Sequence, residues 1–553
     1  MKTYRWVILG VIACLVITVV SYLWATSLMA SLYAYRSPLA AQPPKAGQPA
    51  GPPLSKLVVA ILVDGLRNDT AADSKAMPSL NNLRSRGAST TVHSVAPSYS
   101  APAWSVLATG AWQDISDGPA MNPTAVKDYR YWSQDNIFTS VSNAGRRTAV
   151  AANQNFKNLV PPGTFATSLF TEDETQAGDR QIADAAVQFI KSGKYELVVV
   201  HLVQLDHAAH YEGGTLDPRW DEATLRADGL IGQIAGALDL TQDTVMVFSD
   251  HGQIDAGGHG GQDAIVLVQP FVMAGAGVKP GAYAGIGQVD IAPTTTVLLG
   301  SALPAISQGR PLTEMLELSP GQLAAVRQAT ASQQEGLYQA YAAAMKVPAA
   351  KVIPPADADP AGTYQAAMQE IKDNRLNSER VVRSLLVLPL VVLPPFLLIR
   401  YRNRSLLWVL LAAAVYLAAF YILYAVLNGG TFTLSSVLSA SNLIQTTAVY
   451  SALAFLAAWL VILLGLRLFA RPRLQAVHYH LVMTFTLIYI IALPALWSLA
   501  YNGALVGWTL PDVGSMFAGF IFTLQLVFVP IAGLLMMAVT ALAAGWKKER
   551  KPA

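Results

Sequence analysis

The chain has 553 residues, 53% of them hydrophobic and only 13% charged. That balance excludes an ordinary soluble protein. A formal net charge of +3 says little about partners, no nucleic acid is expected as one, and a single cysteine, Cys14, excludes a disulfide-stapled fold.

In chain order, residues 6–28 form the first apolar run, preceded by Lys2 and Arg5. A cleaved signal peptide has a similar start. About 20 apolar residues are enough to cross the ~30 Å hydrocarbon core, however, and an uncleaved anchor over 1–36 is the preferred reading. Residues 37–53 carry many prolines and few large apolar groups, the composition of a semi-extended linker. Leu57–Val63 is then a continuous aliphatic run stopped by Gly65, which suits a strand buried on both faces. Thr148–Ala152, Leu197–Val203 and Thr244–Phe248 repeat the pattern, with helical periodicity at 176–192 and 217–239 between them. The alternation predicts a mainly parallel α/β sheet with helices on both faces, in a domain over 54–346.

Residues 318–345 read as one long helix or a helix pair. Residues 347–383 read as a second linker followed by an amphipathic helix. A five-span transmembrane bundle is expected over 384–553, with spans near 384–400, 405–427, 446–466, 481–501 and 515–545. Trp408, Trp497, Trp508 and Trp546 sit near span ends, as amphipathic rings prefer. Arg400, Arg402 and Arg404, then Arg467, Arg471 and Arg473, then Lys547, Lys548, Arg550 and Lys551 fall in alternate connections, whereas 428–445 has no charge and 502–513 only Asp512. The positive-inside rule then places both termini in the cytoplasm and the middle domain outside it.

Four segments of that middle domain carry the chemistry. They are Asp64-Gly65 after the first strand, Ser100-Ala101-Pro102, Asp206 with His210, and Asp250-His251 followed by His259 in a glycine-rich loop. Of only eight histidines, four lie in these segments. Asp64, Asp206 and Asp250 each fall at or just past a strand's C-terminal end, where open α/β sheets bind ligands. Taken singly each has a bland reading: Asp64 as a turn residue, His259 as a solvated loop histidine, Ser100 as a helix N-cap. Together they fit a pair of divalent cations about 3.5–4 Å apart, clamping a phosphate ester beside a hydroxyl nucleophile. Ser98 competes with Ser100 for that role. His201, inside an aliphatic strand, reads as a satisfied core residue, and His478 and His480 lie too far along the chain to take part.

These motifs resemble the alkaline phosphatase superfamily, most closely its nucleotide pyrophosphatase/phosphodiesterase branch. The resemblance covers about 55–312 and closes on Asp290-Ile291-Ala292-Pro293-Thr294 and Gly309-Arg310-Pro311-Leu312. It implies an alkaline-phosphatase-like sheet, Ser100 as nucleophile, and two metals, best matched by zinc. Asp64, Ser100, Asp250 and His251 would hold one metal, and Asp206, His210 and His259 the other. The third residue after Ser100 is Ala103, which has no side-chain donor for a phosphate oxygen. No Cys-x-Pro-x-Arg stretch occurs, which excludes a formylglycine sulfatase.

The expected function is a plasma-membrane phosphodiesterase or phosphatase, cleaving phosphate esters outside the cytoplasm through a phospho-serine. The plan of anchor, external domain and bundle also resembles glycolipid-anchor ethanolamine phosphate transferases. That similarity implies transfer of a lipid head group instead, with membrane lipids as partners. A metal-stabilised binding ectodomain without activity is the third reading.

Overall fold

All six side chains of Val58–Val63 are buried, as a strand covered on both faces requires. The computed structural model describes residues 2–355, 359–400, 405–429 and 431–544. Among these, nine strands form one sheet: β1 (Val58–Val63), β2 (Ala88–His93), β3 (Thr148–Asn153), β4 (Thr167–Thr171), β5 (Leu197–Leu202), β6 (Thr244–Phe248), β7 (Val268–Gly275), β8 (Gly281–Ala282) and β9 (Ile286–Gly287). Their order is β4-β3-β5-β1-β6-β7-β2-β8, with β9 paired to β2. The first five run parallel, and β7 is antiparallel to both neighbours.

The two-residue period of β1 divides the core. Val58, Ala60 and Leu62 join one apolar cluster with Trp104, Phe138 and Phe156, while Val59, Ile61 and Val63 join another with Ile182, Trp220 and Ile231. Helices Ser100–Thr109, Ile137–Asn143 and Ile291–Leu298 cover the first face. Helices Pro78–Arg86, Gln176–Ser192 and Pro218–Ala235 cover the second. Burying each such aliphatic side chain contributes roughly 1.5–3 kcal/mol. The Gln176–Ser192 helix shows how local chemistry sets the limits. Thr175 caps its start through the Ala177 amide, and Gly193 at φ +63° ends it. Ile182, Ala186 and Ile190 then recur on its buried face.

The closing motifs are tied together by one buried carboxylate. Asp290 accepts the amides of Arg310 at 2.9 Å and Gly287 at 2.9 Å. Burial outweighs these bonds and raises its pKa from 3.8 to about 6. The folded state therefore keeps this proton where the unfolded chain loses it. Stability from this group is complete below pH ~4 and falls as pH rises to about 6, by roughly 3 kcal/mol for a two-unit shift. Asp290→Asn is expected to abolish that fall. Thermal unfolding of the detergent-solubilised protein from pH 4 to 7 checks this: wild type should lose its advantage over the variant as pH rises, and parallel curves would refute it.

Two compact units divide the chain: Leu32–Arg375 with Gly507–Leu510, and Met1–Ser31 with Leu376–Val506 and Pro511–Ala553. In the first, the Pro-rich stretch 37–53 carries no helix or strand, but it is not a free linker. Leu39 is fully buried against Ala111, Ile115 and Ile306, and Arg36 pairs with Asp117 at 2.6 Å. One leucine in the right place suffices to fasten a segment otherwise too polar to pack. Residues 320–344 form a single helix, capped by Ser319.

Among the described residues of the second unit, five helices are long and apolar enough to cross a bilayer: Arg5–Tyr33, Ser405–Leu427, Ala440–Gly465, Arg473–Asn502 and Val513–Ala543. The chain is an integral membrane protein. The further span expected at 384–400 falls at the end of the helix Pro360–Arg400, beside the undescribed residues 401–404. Polar ties join the bundle. Tyr416 donates to Gln525 Oε1 and Trp459 to Thr540 Oγ1, both at 2.8 Å, and His480 Nε2 to the Gly533 carbonyl, also at 2.8 Å. Arg402, Arg404, Trp546 and the basic residues from Lys547 onward lie outside the described residues.

Candidate metal centre and active site

Three adjacent strands, β5, β1 and β6, deliver the acids to one edge. Asp64 follows β1 directly, and its amide donates to the Leu202 carbonyl at the end of β5 at 2.9 Å. Ser249 follows β6 and accepts the Leu66 amide at 2.9 Å while donating to the His251 carbonyl at 2.8 Å. This clasps the first loop to the third. The chain after β5 becomes the helix Gln204–Tyr211, with Asp206 and His210 one turn apart. Gly65, at φ +71°, is where the loops close tightest: a Cβ there would lie 2.6 Å from Gln253 Nε2 and 3.2 Å from Asp206 Oδ1.

All seven candidate residues converge. Asp64, Asp250 and His251 place one ligand atom each within 4.8 Å of one another, and so do Asp206, His251 and His259. His210 Nε2 lies 3.0 Å from His259 Nε2 and 3.5 Å from Asp206 Oδ1. Ser100 Oγ lies 3.2 Å from His251 Nε2. His251 thus sits between both groups, its ring stacked on His259 with centroids 3.7 Å apart.

These donors fit divalent cations. His251 Nδ1 donates to the Gly252 carbonyl at 3.1 Å and His259 Nδ1 to the Ser98 carbonyl at 3.2 Å. In both neutral rings this fixes the tautomer with a bare Nε2 turned toward the carboxylates. Asp64 Oδ1 is buried with no hydrogen-bond partner. His210 Nε2 faces the bare His259 Nε2 at 3.0 Å, a spacing that one shared proton or one cation can bridge. The acids feel the same crowding. Burial, then the charges of neighbouring carboxylates, raises Asp250 to about 7, and burial raises Asp206. Burial also opposes ionisation of Asp64, but the hydrogen bond from His201 and the His251 ring beside it, with Nε2 3.2 Å from Asp64 Oδ1, outweigh it and hold Asp64 well below the usual carboxylate range. Against its own burial, His251 is lifted to about 10 by Asp250, Asp64 and Asp206. A field that favours a proton on Nε2 favours a metal cation there equally.

Ser100 is not an N-cap. Tyr99 holds that position with extended φ and ψ, and Ser100 is the helix's first residue with its hydroxyl turned to His251. The competing Ser98 donates to the Gly261 carbonyl at 3.0 Å. Its main chain pairs with Gly260, so Ser98 fastens the loop that carries His259. That loop is neither free nor solvated. His259 is 5% exposed, and Gly257, at φ +82°, packs so close to the Gln204–Tyr211 helix that a Cβ would meet the Ala209 carbonyl at 1.8 Å.

Several residues at the site escaped the sequence reading. His201 is not a bland core histidine: its Nε2 lies 2.8 Å from Asp64 Oδ2. Trp104 Nε1 donates to Asp250 Oδ2 at 2.9 Å. Trp104 stands four residues after Ser100, on the same helix face, which was a readable signal. Gln253 donates to Asp206 Oδ1, and Gln288 to the Asp250 carbonyl at 2.7 Å. Asn122 Oδ1 accepts the Ala101 amide at 2.9 Å, placing a side-chain amide at the helix start where Ala103 supplies none. Asn122 lies in irregular structure, and no local pattern marks it.

Comparison with known proteins agrees with this geometry. Residues 58–287 match the family model of the type I phosphodiesterases/nucleotide pyrophosphatases. Over 292 residues, 49% of the chain, it is 26% identical to the human GPI ethanolamine phosphate transferase 2 catalytic subunit. It is 24% identical, over 48% of its length, to GPI ethanolamine phosphate transferase 2 of Yarrowia lipolytica. The match spans 29% and 34% of those two proteins, so the chain covers about a third of the relatives' length. Among solved structures, a protein in the alkaline phosphatase superfamily from Vibrio parahaemolyticus aligns at 13% identity and TM-score 0.37, covering 53% of this chain and 79% of that one. The phosphodiesterase-like domain thus contains all seven candidate residues and the strands that carry them.

Proposed function

We propose that this chain is a membrane-bound phosphotransferase that moves a phosphoethanolamine-type head group outside the cytoplasm, with Ser100 as nucleophile. The observation that carries this reading is the similarity, across about half the chain, to proteins named as ethanolamine phosphate transferases. It favours transfer over the hydrolysis that the motifs alone suggest. The two half-reactions share one site. Ser100 Oγ attacks phosphorus as its hydroxyl proton is given up to the leaving oxygen, a P–Oγ bond forms, and the bond from phosphorus to that leaving alkoxide breaks. An acceptor hydroxyl then attacks the phospho-serine, its proton returns to Ser100, and the P–Oγ bond breaks.

Asp64, Asp250 and His251 would hold one divalent cation and Asp206, His210 and His259 a second, with zinc suiting the mixed nitrogen and oxygen donors. Such ions, when bound, supply positive charge that lowers the hydroxyl's pKa and offsets charge on phosphate oxygens. The helix start behind Ser100 adds amide dipoles that favour an anion. Asn122, held by the Ala101 amide, is positioned to turn its NH2 toward a phosphate oxygen. Asn122→Ala is expected to lower kcat about 10²-fold, the usual cost of one such donor, with metal content unchanged.

The deciding experiment uses the full protein in liposomes with a head-group-labelled phosphatidylethanolamine and a glycan or lipid acceptor. Transfer predicts label on the acceptor and little free phosphoethanolamine. Acceptor-independent release of free phosphoethanolamine would return the assignment to a hydrolase. Label on neither, with metal bound, would sink both.

A further inference from the structure

Two buried aromatic donors stand behind one ligand group, and the chemistry above makes no use of them. Trp104 Nε1 holds Asp250 Oδ2 at 2.9 Å, and His201 Nε2 holds Asp64 Oδ2 at 2.8 Å. The two rings meet edge to face, with centroids 4.7 Å apart and planes at 68°. Phe156 packs on both, at 5.7 Å and 6.3 Å. Trp104 is 4% exposed and His201 0%.

A hydrogen bond to one carboxylate oxygen fixes the carboxylate's rotation and so the direction of its other lone pairs. Here the fixing donors are stiff, flat and wedged against each other, so neither can swing without the other. They act on Asp64 and Asp250 together, the two acids of a single group: Asp250 Oδ1 is held by the Gly65 and His251 amides, and Asp64 Oδ1 makes no hydrogen bond and faces His251 Nε2 at 3.2 Å. Asp206, in the second group, is held instead by the amide of Gln253. The two groups therefore have separate supports.

Resting on the two-cation reading above, we propose that Trp104 and His201 form one positioning unit that sets metal affinity at Asp64–Asp250–His251 by fixing its two carboxylates, and acts far less on the Asp206–His259 group, with which it shares only His251. Each variant removes a donor. Trp104→Phe keeps a ring without the N–H, and His201→Leu removes the donor outright, whereas His201→Gln restores an N–H near the position of Nε2. Loss of such a support typically weakens metal binding about 10–100-fold. Because the rings brace each other, the double variant Trp104→Phe/His201→Leu should lose much less than the product of the two single losses.

The test is a two-site zinc competition titration of full-length protein in detergent, with metal content by mass spectrometry and the metal-free thermal midpoint alongside. The expected result is two equivalents in wild type and selective weakening of one in Trp104→Phe and His201→Leu. His201→Gln should retain affinity, Gln253→Leu should weaken the other equivalent, and the metal-free midpoints should be near wild type. Two unaltered equivalents in both donor-removing variants, or equal weakening of both equivalents, would overturn the proposal and leave the two-cation reading standing. Wild-type protein that takes up no zinc would overturn the two-cation reading itself. Should one variant not fold, the other still decides.

Discussion

Ser100→Ala is expected to lower turnover about 10⁴-fold or more, the scale seen when a nucleophile acting as part of a unit is removed. Its hydroxyl is 3.2 Å from His251 Nε2, at the first residue of a helix and beside both groups of candidate ligands. Thermal midpoint should stay near wild type, because Ser100 caps no helix and its hydroxyl contacts His251 within the site rather than the core. Trapping with a labelled donor separates the two serines. Wild type should yield a phosphorylated peptide containing residue 100, and Ser100→Ala none. Ser98→Ala should still be phosphorylated, at a reduced level, since its hydroxyl fastens the His259 loop. Label on Ser98, or full turnover by Ser100→Ala, would remove the covalent mechanism.

Metal removal is expected to have the second largest effect, on stability as well as activity. Asp64 and Asp250 are buried within 1% exposure, Asp206 joins them, and their charges oppose one another without a cation between. A ligand at 100 times its Kd stabilises by about 2.7 kcal/mol, so two filled sites add roughly 5 kcal/mol. For a domain of this size that raises the midpoint by about 10 °C or more. Dialysis against a chelator should lower the midpoint accordingly, and added zinc should restore both midpoint and turnover. A chelated protein that unfolds at the same temperature and keeps turning over would show that these side chains do not hold catalytic ions.

The second expected effect follows from geometry that local sequence reports well. A strand buried on both faces must be a continuous aliphatic run, and an acid just past its end must lie at the sheet's C-terminal edge. Asp64, Asp206 and Asp250 were therefore legible as neighbours once three such strands were recognised, although they stand far apart in the chain. The apolar helices were legible for a related reason: length and hydropathy alone decide whether a segment can cross a bilayer.

What the sequence by itself determined, then, was the set of candidate acids and the edge of the sheet that gathers them, because both follow from side-chain type and strand period. Tertiary structure alone decided which groups surround the acids. His201 meets Asp64 across 137 residues, Trp104 meets Asp250 across 146, and His259 is pinned by Ser98 across 161. It also decided that Leu39 anchors a proline-rich stretch and that Asn122 reaches the start of the nucleophile's helix. The physical reason is range. Periodicity and turn chemistry act over a few residues, whereas a hydrogen bond between separate loops depends on where the whole sheet and its helices bring them.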